Sequence, residues 1–412
     1  MFRTVRTFSQ KFNAYRRIID GELYEEIIKL AQSLNGVRVL HVNSTATRGG
    51  PPEMLRSEIP LLRDLGLLAK WQVFDVPADI YAISKYLHNG LQGDKRLLTA
   101  SRWQRYEAFS KKLTKYIQAD QWDVIVIHDP QPAAILSFMD SKGSAKWIWR
   151  CHVDMTQPNQ RYFKRFRRYW QPYDGVIFQS KSFVPSNFII PRVMVSSAAI
   201  DPLSPKNANM SKAEADKTLK IYGIDTKRPL ITQFSRFDPW KDFPGVIAAW
   251  QLAKQVVPDL QLVLGGIVSA NDVQGRAILR EVNKLIKGLP DVFLFVNEIT
   301  GRGTKAFHVA SDIILQKSIR EGFGMTVSEA LWSGTPVIGG DVGGIRLQIK
   351  NGQNGYLVNS IQECADCIIQ LTQNRQLAAE MGLYGREYVR KNFLLPRLMR
   401  DEMQFMLQLL KD

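Results

Sequence analysis

Cysteine is scarce in this sequence: Cys151, Cys364 and Cys367 are the three in a chain of 412 residues. Three thiols cannot build the disulfide framework of a secreted scaffold, and such sparing use fits a reducing, cytoplasmic compartment. Cys364 and Cys367 stand as CxxC, but inside the helical pattern IQECADCIIQLTQ and with no second Cys or His pair beside them. They read as small core residues, not zinc ligands. No apolar run reaches the roughly 18 residues of a membrane-spanning helix. The N-terminus, MFRTVRTFSQKFNAYRRIID, is basic and lacks the apolar stretch of a secretory signal. It has no acid before Asp20, a trait shared with organellar transit peptides. Motif absences narrow the chemistry further. There is no G-x-x-x-x-G-K-S/T phosphate loop and no G-x-G-x-x-G dinucleotide fingerprint. Nor is there any Asp-x-Asp or H-E-x-x-H, two common ways of presenting a metal.

What is present is a chain too long for one core, with 45% hydrophobic and 23% charged residues, as in ordinary soluble proteins. Two domains of about 200 residues each are expected. The net charge of +16 favours anionic partners: nucleic acid, lipid headgroups or phosphorylated small molecules. Its densest cluster is RYFKRFRRYW (161–170). Its basic and aromatic mixture suits phosphates or stacked bases; equally, Tyr162, Phe163, Phe166, Tyr169 and Trp170 recur there at helical spacing, which puts an apolar stripe toward a core and a basic face outward.

Short apolar runs alternate with helical patterns along the whole chain. Strands are predicted at 37–44, 69–76, 123–130, 146–154, 175–180 and 191–200, mostly followed by amphipathic stretches. The polar segment DPLSPKNANMSKAEADK (201–217) reads as a linker. The alternation restarts at 229–237, 261–267, 292–299, 312–318 and 336–344, and closes on a long helical pattern after Asn392. The pattern predicts an α/β protein of two doubly wound domains. The first domain is placed at 1–203, the second at 204–392, with a C-terminal helix at 393–412 packing back on the first. Ligands of such sheets bind beyond the carboxyl ends of the strands, here in a cleft lined by loops of both domains.

The unusual residues gather at those strand ends. NSTATRGGPPEML (43–55) joins a strand to a helix, and Gly49 and Gly50 would let backbone amides approach an anion at the helix N-terminus. His128-Asp129 and His152-Val153-Asp154 end two neighbouring strands. His152 and Asp154, two apart in extended chain, face the same side, so a polarised His–Asp unit is expected. SRFDPWKD (235–242) places Arg236, a planar fork, and Lys241, a point charge, across a turn, a combination suited to a diphosphate. In SIREGFGMTVSEALWSG (318–334), Glu321 precedes a glycine turn and Glu329 follows in the helix. The amides of Gly322, Phe323, Gly324, Met325 and Thr326 would face a phosphate or sugar oxygen, while the two carboxylates would accept hydrogen bonds from hydroxyls. Cations for a diphosphate and acids for hydroxyls together describe a nucleotide sugar.

The two acids of SIREGFGMTVSEALWSGTPVIG, with Arg and Lys upstream in SRFDPWKD, resemble the retaining glycosyltransferases of the two-domain GT-B fold. HVNSTATRGGPPEML, HNGLQG, VIHDPQPAAI, WIWRCHVDMTQPN, IDPLSPKN and ITQFSRFDPWK resemble one subgroup, the trehalose glycosyltransferring synthases. That likeness runs from about Val5 to the final helix, so the basic N-terminus is expected in the mature enzyme. The resemblance implies retaining transfer of glucose from a nucleoside diphosphate glucose to free glucose. Glu321 would hold the donor glucose hydroxyls and Glu329 the ribose. Arg236 and Lys241 would neutralise the diphosphate, and the Gly49-Gly50 loop would approach it from the other domain. His152 would lie at the reacting sugar, with His128, Asp129 and Asp154 near the acceptor. No metal or other cofactor is implied, since side chains and helix amides would carry the leaving group's charge. The loop departs from the subgroup's three glycines: Pro51 and Pro52 remove amide donors, and Arg48 would stand in as a cation.

Other readings are a retaining trehalose phosphorylase, in which Glu329 would have no ribose to hold, and a glycosyltransferase with a saccharide or lipid acceptor. A lipid acceptor would give the basic helix a surface role without stable membrane insertion. An inactive sensor or nucleic-acid binder accounts for the charge but not for the full site set. The donor's base (UDP, ADP or GDP), the preferred direction and the oligomeric state, a homodimer included, are not specified by these residues.

Overall fold

In a computed structural model the described residues are 2–47, 49–185, 188, 190, 192–268 and 272–412. The chain forms two units, Met1–Ala199 together with Leu395–Asp412, and Ile200–Leu394.

The first unit holds strands β1 (Phe2–Thr4), β2 (Arg38–Asn43), β3 (Leu68–Phe74), β4 (Val124–His128), β5 (Lys146–Cys151), β6 (Gly175–Phe178) and β7 (Val193–Val195). They make one sheet in the order β1-β3-β2-β4-β5-β6-β7, parallel throughout except that β1 runs antiparallel to β3. The central strands are nearly continuous Val, Ile, Leu and Trp because helices cover both faces. The chain passes from β2 outward to β3 and then returns to β4 on the other side, so the order reverses between β2 and β4.

The helix Gln160–Trp170 fulfils the reading of RYFKRFRRYW. Tyr162, Phe163, Phe166, Tyr169 and Trp170 are all buried, and Trp170 stacks on Trp149 of β5 at 5.7 Å between ring centroids. Of its basic residues, Arg165 and Arg168 both reach Glu107, and Arg165 also lies over the Trp103 ring. The last helix, Leu395–Lys411, packs against the helix Gly21–Ser33, with Arg400 Nη1 2.9 Å from Glu26 Oε2. It also brings Glu402 to Arg150 of β5 as an ion pair enclosed by the core.

The second unit holds β8 (Leu230–Phe234), β9 (Gln261–Gly266), β10 (Val292–Val296), β11 (Ile313–Gln316), β12 (Val337–Gly340) and β13 (Gly355–Val358). The sheet order is β10-β9-β8-β11-β12-β13, all parallel, so the reversal falls between β8 and β11. Two strands escaped the sequence reading, β1 and β13, of 3 and 4 residues, too short to carry a period. The segment expected as a linker is also partly helical. Lys212–Ile221 forms a helix fixed by a capping box, Ser211 accepting from the Glu214 amide while Glu214 accepts from the Ser211 amide. That Ser-Lys-Ala-Glu signal stood in the sequence. Among the described residues, no helix is long and apolar enough to cross a membrane.

Candidate active site

In the second unit Lys241 and Glu321 meet where the strand order reverses, the position at which open α/β sheets take ligands. β8 runs into Arg236 and then a short 3-10 turn, Pro239–Lys241, capped by Asp238, whose Oδ1 accepts from the Trp240 amide at 3.1 Å. β11 runs into Ser318 and Glu321, and the Ile319 amide donates to Trp240 O at 2.9 Å, which ties the two loops together. Across this seam two ion pairs cross. Lys241 meets Glu321, and the next residue, Asp242, meets Lys317. Glu321 Oε2 also accepts from Gln316 Nε2 and Ser318 Oγ, each at 3.1 Å. Arg236, by contrast, is 60% exposed at its side chain, with Asp238 at 3.8 Å as its ion-pair partner among the described residues.

Two glycines make this packing possible. A Cβ at Gly340, the end of β12, would lie 1.9 Å from Ser318 O, so only glycine lets the neighbouring strand pass the loop. Gly324 caps the helix Met325–Trp332 in the left-handed region, at φ 81°, with no side chain capping the helix. The amides of Met325 and Thr326, in the first turn, have no acceptor inside the helix. Phe323 is a core residue, its ring 5.6 Å from that of Phe393, so Gly322 and Phe323 offer backbone rather than side chain. Glu329 is buried and ion-paired with Lys206 at 2.6 Å. Gln316, Lys317, Ser318 and Lys206 were missed from sequence, although the first three lie three to five residues before Glu321 at the same strand end.

In the first unit, Gly49 takes φ 97° and begins the helix Gly50–Asp64, with Pro51 and Pro52 in its first turn. A Cβ on Gly49 would meet nothing within 4 Å, so the loop surface is open there. Arg48 lies outside the described residues.

The expected His–Asp pairs are replaced by a row of three imidazoles. His41 Nδ1 lies 3.0 Å from His128 Nε2, and His128 Nδ1 lies 3.1 Å from His152 Nε2. His41 was missed because a histidine within VLHVN reads as one more buried strand position. Asp154 does not polarise His152: its Oδ1 accepts from the Thr156 amide at 2.9 Å and from Thr156 Oγ1 at 2.6 Å, closing a local turn. His128 also departs from expectation. It is fully buried with both ring nitrogens engaged, so it cannot touch an acceptor. Asp129 sits at φ 66° and Oδ1 accepts from the His152 amide at 3.3 Å.

Burial sets the electrostatics. It pushes His41 down to about 4, with buried Glu58 opposing and Arg150 assisting. His128 and His152 are driven well below the usual imidazole range, by burial first and then by neighbouring positive groups. Asp129 is pushed up to about 7 by burial, against the His152 amide bond and the charge of Arg150. All three imidazoles are therefore neutral at physiological pH.

Residues 41–185 match the family described as "Trehalose synthase, N-terminal domain", and residues 214–388 match "Glycosyl transferases group 1". The trehalose synthase of Rubrobacter xylanophilus is 40% identical over 402 residues, covering 96% of each chain. Among solved structures, the sucrose-phosphate synthase of Thermosynechococcus elongatus is similar with TM-score 0.73 at 17% identity, covering 90% of this chain and 99% of that one. Anabaena HepE, solved in complex with UDP and glucose, is similar with TM-score 0.66 at 16% identity, covering 90% and 99%. These two likenesses concern the fold, and with the sheet orders above they make it GT-B. From its near full-length identity, the chain belongs to the trehalose synthase family and is a glycosyltransferase of trehalose metabolism.

Proposed function

We propose that the enzyme moves glucose, with retention, from a nucleoside diphosphate glucose to free glucose, forming trehalose reversibly. The observation that carries this reading is the crossed pair of ion pairs, Lys241–Glu321 and Asp242–Lys317, at the β8–β11 reversal. A carboxylate already gathering donors from Ser318 and Gln316 suits sugar hydroxyls. The exposed Arg236 and the uncapped amides of Met325 and Thr326 suit a diphosphate. Lys241 stabilises the same leaving group once a ligand shares Glu321, and Glu329 holds the ribose in exchange with Lys206.

Donor binding is thus assigned to the second unit and acceptor binding to the first. There the half-buried His152 meets the reacting sugar and Asp129 the acceptor, with Asp154 shaping the loop beyond. The C1–O bond to the diphosphate breaks and a C1–O bond to the acceptor hydroxyl forms on the same face. The acceptor's proton passes to the departing diphosphate oxygen. Fixed positive groups stabilise the charge developing there, each typically contributing about 3–4 kcal/mol. No metal takes part in this scheme.

The test incubates purified protein with glucose and UDP-, ADP- or GDP-glucose in EDTA, following nucleotide release and a trehalase-sensitive disaccharide. Disaccharide with nucleotide release is expected and would fix the donor. Release without disaccharide would refute the acceptor. Turnover of trehalose with inorganic phosphate alone would replace transfer by phosphorolysis, and activity lost in EDTA would refute the metal-free scheme.

A further inference from the structure

The row of three imidazoles constrains its own protons. Three neutral rings carry three N–H groups on six nitrogens. The two inter-ring hydrogen bonds occupy His41 Nδ1, both nitrogens of His128 and His152 Nε2. A neutral His128 has one N–H, so it donates to one neighbour and accepts from the other, and both bonds must run in the same direction. The third N–H is left at one end of the row, either on His41 Nε2 or on His152 Nδ1. The tautomer of the partly exposed ring is therefore tied to that of a ring buried two residues away in space.

The buried end decides the direction. His41 Nε2 is enclosed and has no hydrogen-bond partner among the described residues. An orphaned N–H in a protein interior is rarer than an orphaned acceptor. The lower-energy arrangement leaves a bare lone pair on His41 Nε2, and each Nδ1–H donates along the row. The charged groups around the row are Glu58 beside His41, Arg150 beside all three rings, and Asp129 at the His152 amide. Arg150 is itself ion-paired with Glu402. Burial outweighs them and keeps the row neutral.

We infer that His41 and His128 are positioning residues that lock His152 as the Nδ1–H tautomer, so that neutral His152 serves the reaction as a fixed hydrogen-bond donor and not as an acid or base. The tautomer rests on the two inter-ring contacts and the neutrality of the buried row; its use in transfer rests on the function proposed above.

The test is ring 15N NMR of the full-length protein with labelled histidine, in wild type, His41→Phe and His41→Gln, with His152→Gln for assignment. Wild type is expected to show His152 protonated at Nδ1 and bare at Nε2, unchanged from pH 5.5 to 8. In His41→Phe the row loses its end, and His152 should shift toward the Nε2–H form; His41→Gln, which keeps a donor, should hold the wild-type pattern and also serves if the Phe variant does not fold. Transfer by His41→Phe should show kcat lower by about tenfold, as for one weakened hydrogen bond, with little change in donor KM. An Nε2–H tautomer in wild type, or a His152 that titrates between pH 5.5 and 8, would overturn the inference. A protein with the expected tautomer but no glucose transfer would refute the proposed function and leave the lock intact.

Discussion

Lys241 and Glu321, 80 residues apart in the chain, form an ion pair at the ends of adjacent parallel strands, with their side chains 10% and 12% exposed. Removing either partner strands a nearly enclosed charge. Lys241→Met and Glu321→Gln are each expected to lower stability by about 3 kcal/mol in urea unfolding. The double variant Lys241→Met/Glu321→Gln should lose clearly less than the sum, because no lone charge remains. Additive losses would mean the pair is not coupled. All three variants should lose transfer.

Arg236 tests the opposite case. Its exposed side chain packs on little, so Arg236→Ala should change stability by no more than about 0.5 kcal/mol. If it meets the diphosphate, kcat/KM for the donor should fall by about 10²–10³. Unchanged kinetics would remove Arg236 from the site.

Acid should destabilise the first unit through its histidines. Unfolded imidazoles bind protons near pH 6.5, whereas burial holds His41 near 4 in the folded state, with His128 and His152 shifted the same way. The unfolded state thus binds more protons below pH 6.5, so this contribution is complete above that pH and is lost as pH falls toward 4. His41 alone accounts for about 3 kcal/mol over that window. Asp129, pushed up to about 7, acts with opposite sign, its penalty growing as pH rises from about 4 to 7. The acid limb of stability against pH should be shallower in His41→Phe, and the same slope in both proteins would contradict this account.

Arg150 and Glu402 are both enclosed, so Glu402→Gln is expected to cost about 3–5 kcal/mol in chemical unfolding. Arg150→Met with Glu402→Leu should recover most of that loss. A single variant as stable as wild type would show that the arginine finds another partner.

Much of the architecture was legible because parallel strands buried on both faces leave dense apolar runs, as in VRVLHVNS and DVIVIHDP. The site was legible where chemistry sat at a strand end: Lys241 and Glu321 do meet, and Arg236 stands exposed just beyond β8. What escaped was set by distance in sequence. Nothing near Arg150 announces Glu402, and nothing near Glu329 announces Lys206. The His–Asp reading failed because Thr156 captures Asp154 while His128 is satisfied by His41 of β2 and His152 just beyond β5. His41 carried no signal at all, because one polar residue in a buried strand looks the same whether it is isolated or part of a row.

The return of Leu395–Asp412 to the first unit has a consequence for synthesis. As the chain leaves the ribosome, the first 199 residues emerge long before the helix that completes them. Until then Arg150 lacks Glu402, and the surface later covered by Leu398, Met399, Met403 and Met406 stays open. The second unit, one uninterrupted stretch from Ile200 to Leu394, can finish first. The half made first is therefore the half that matures last, and truncating the final helix should injure the beginning of the protein, not its end.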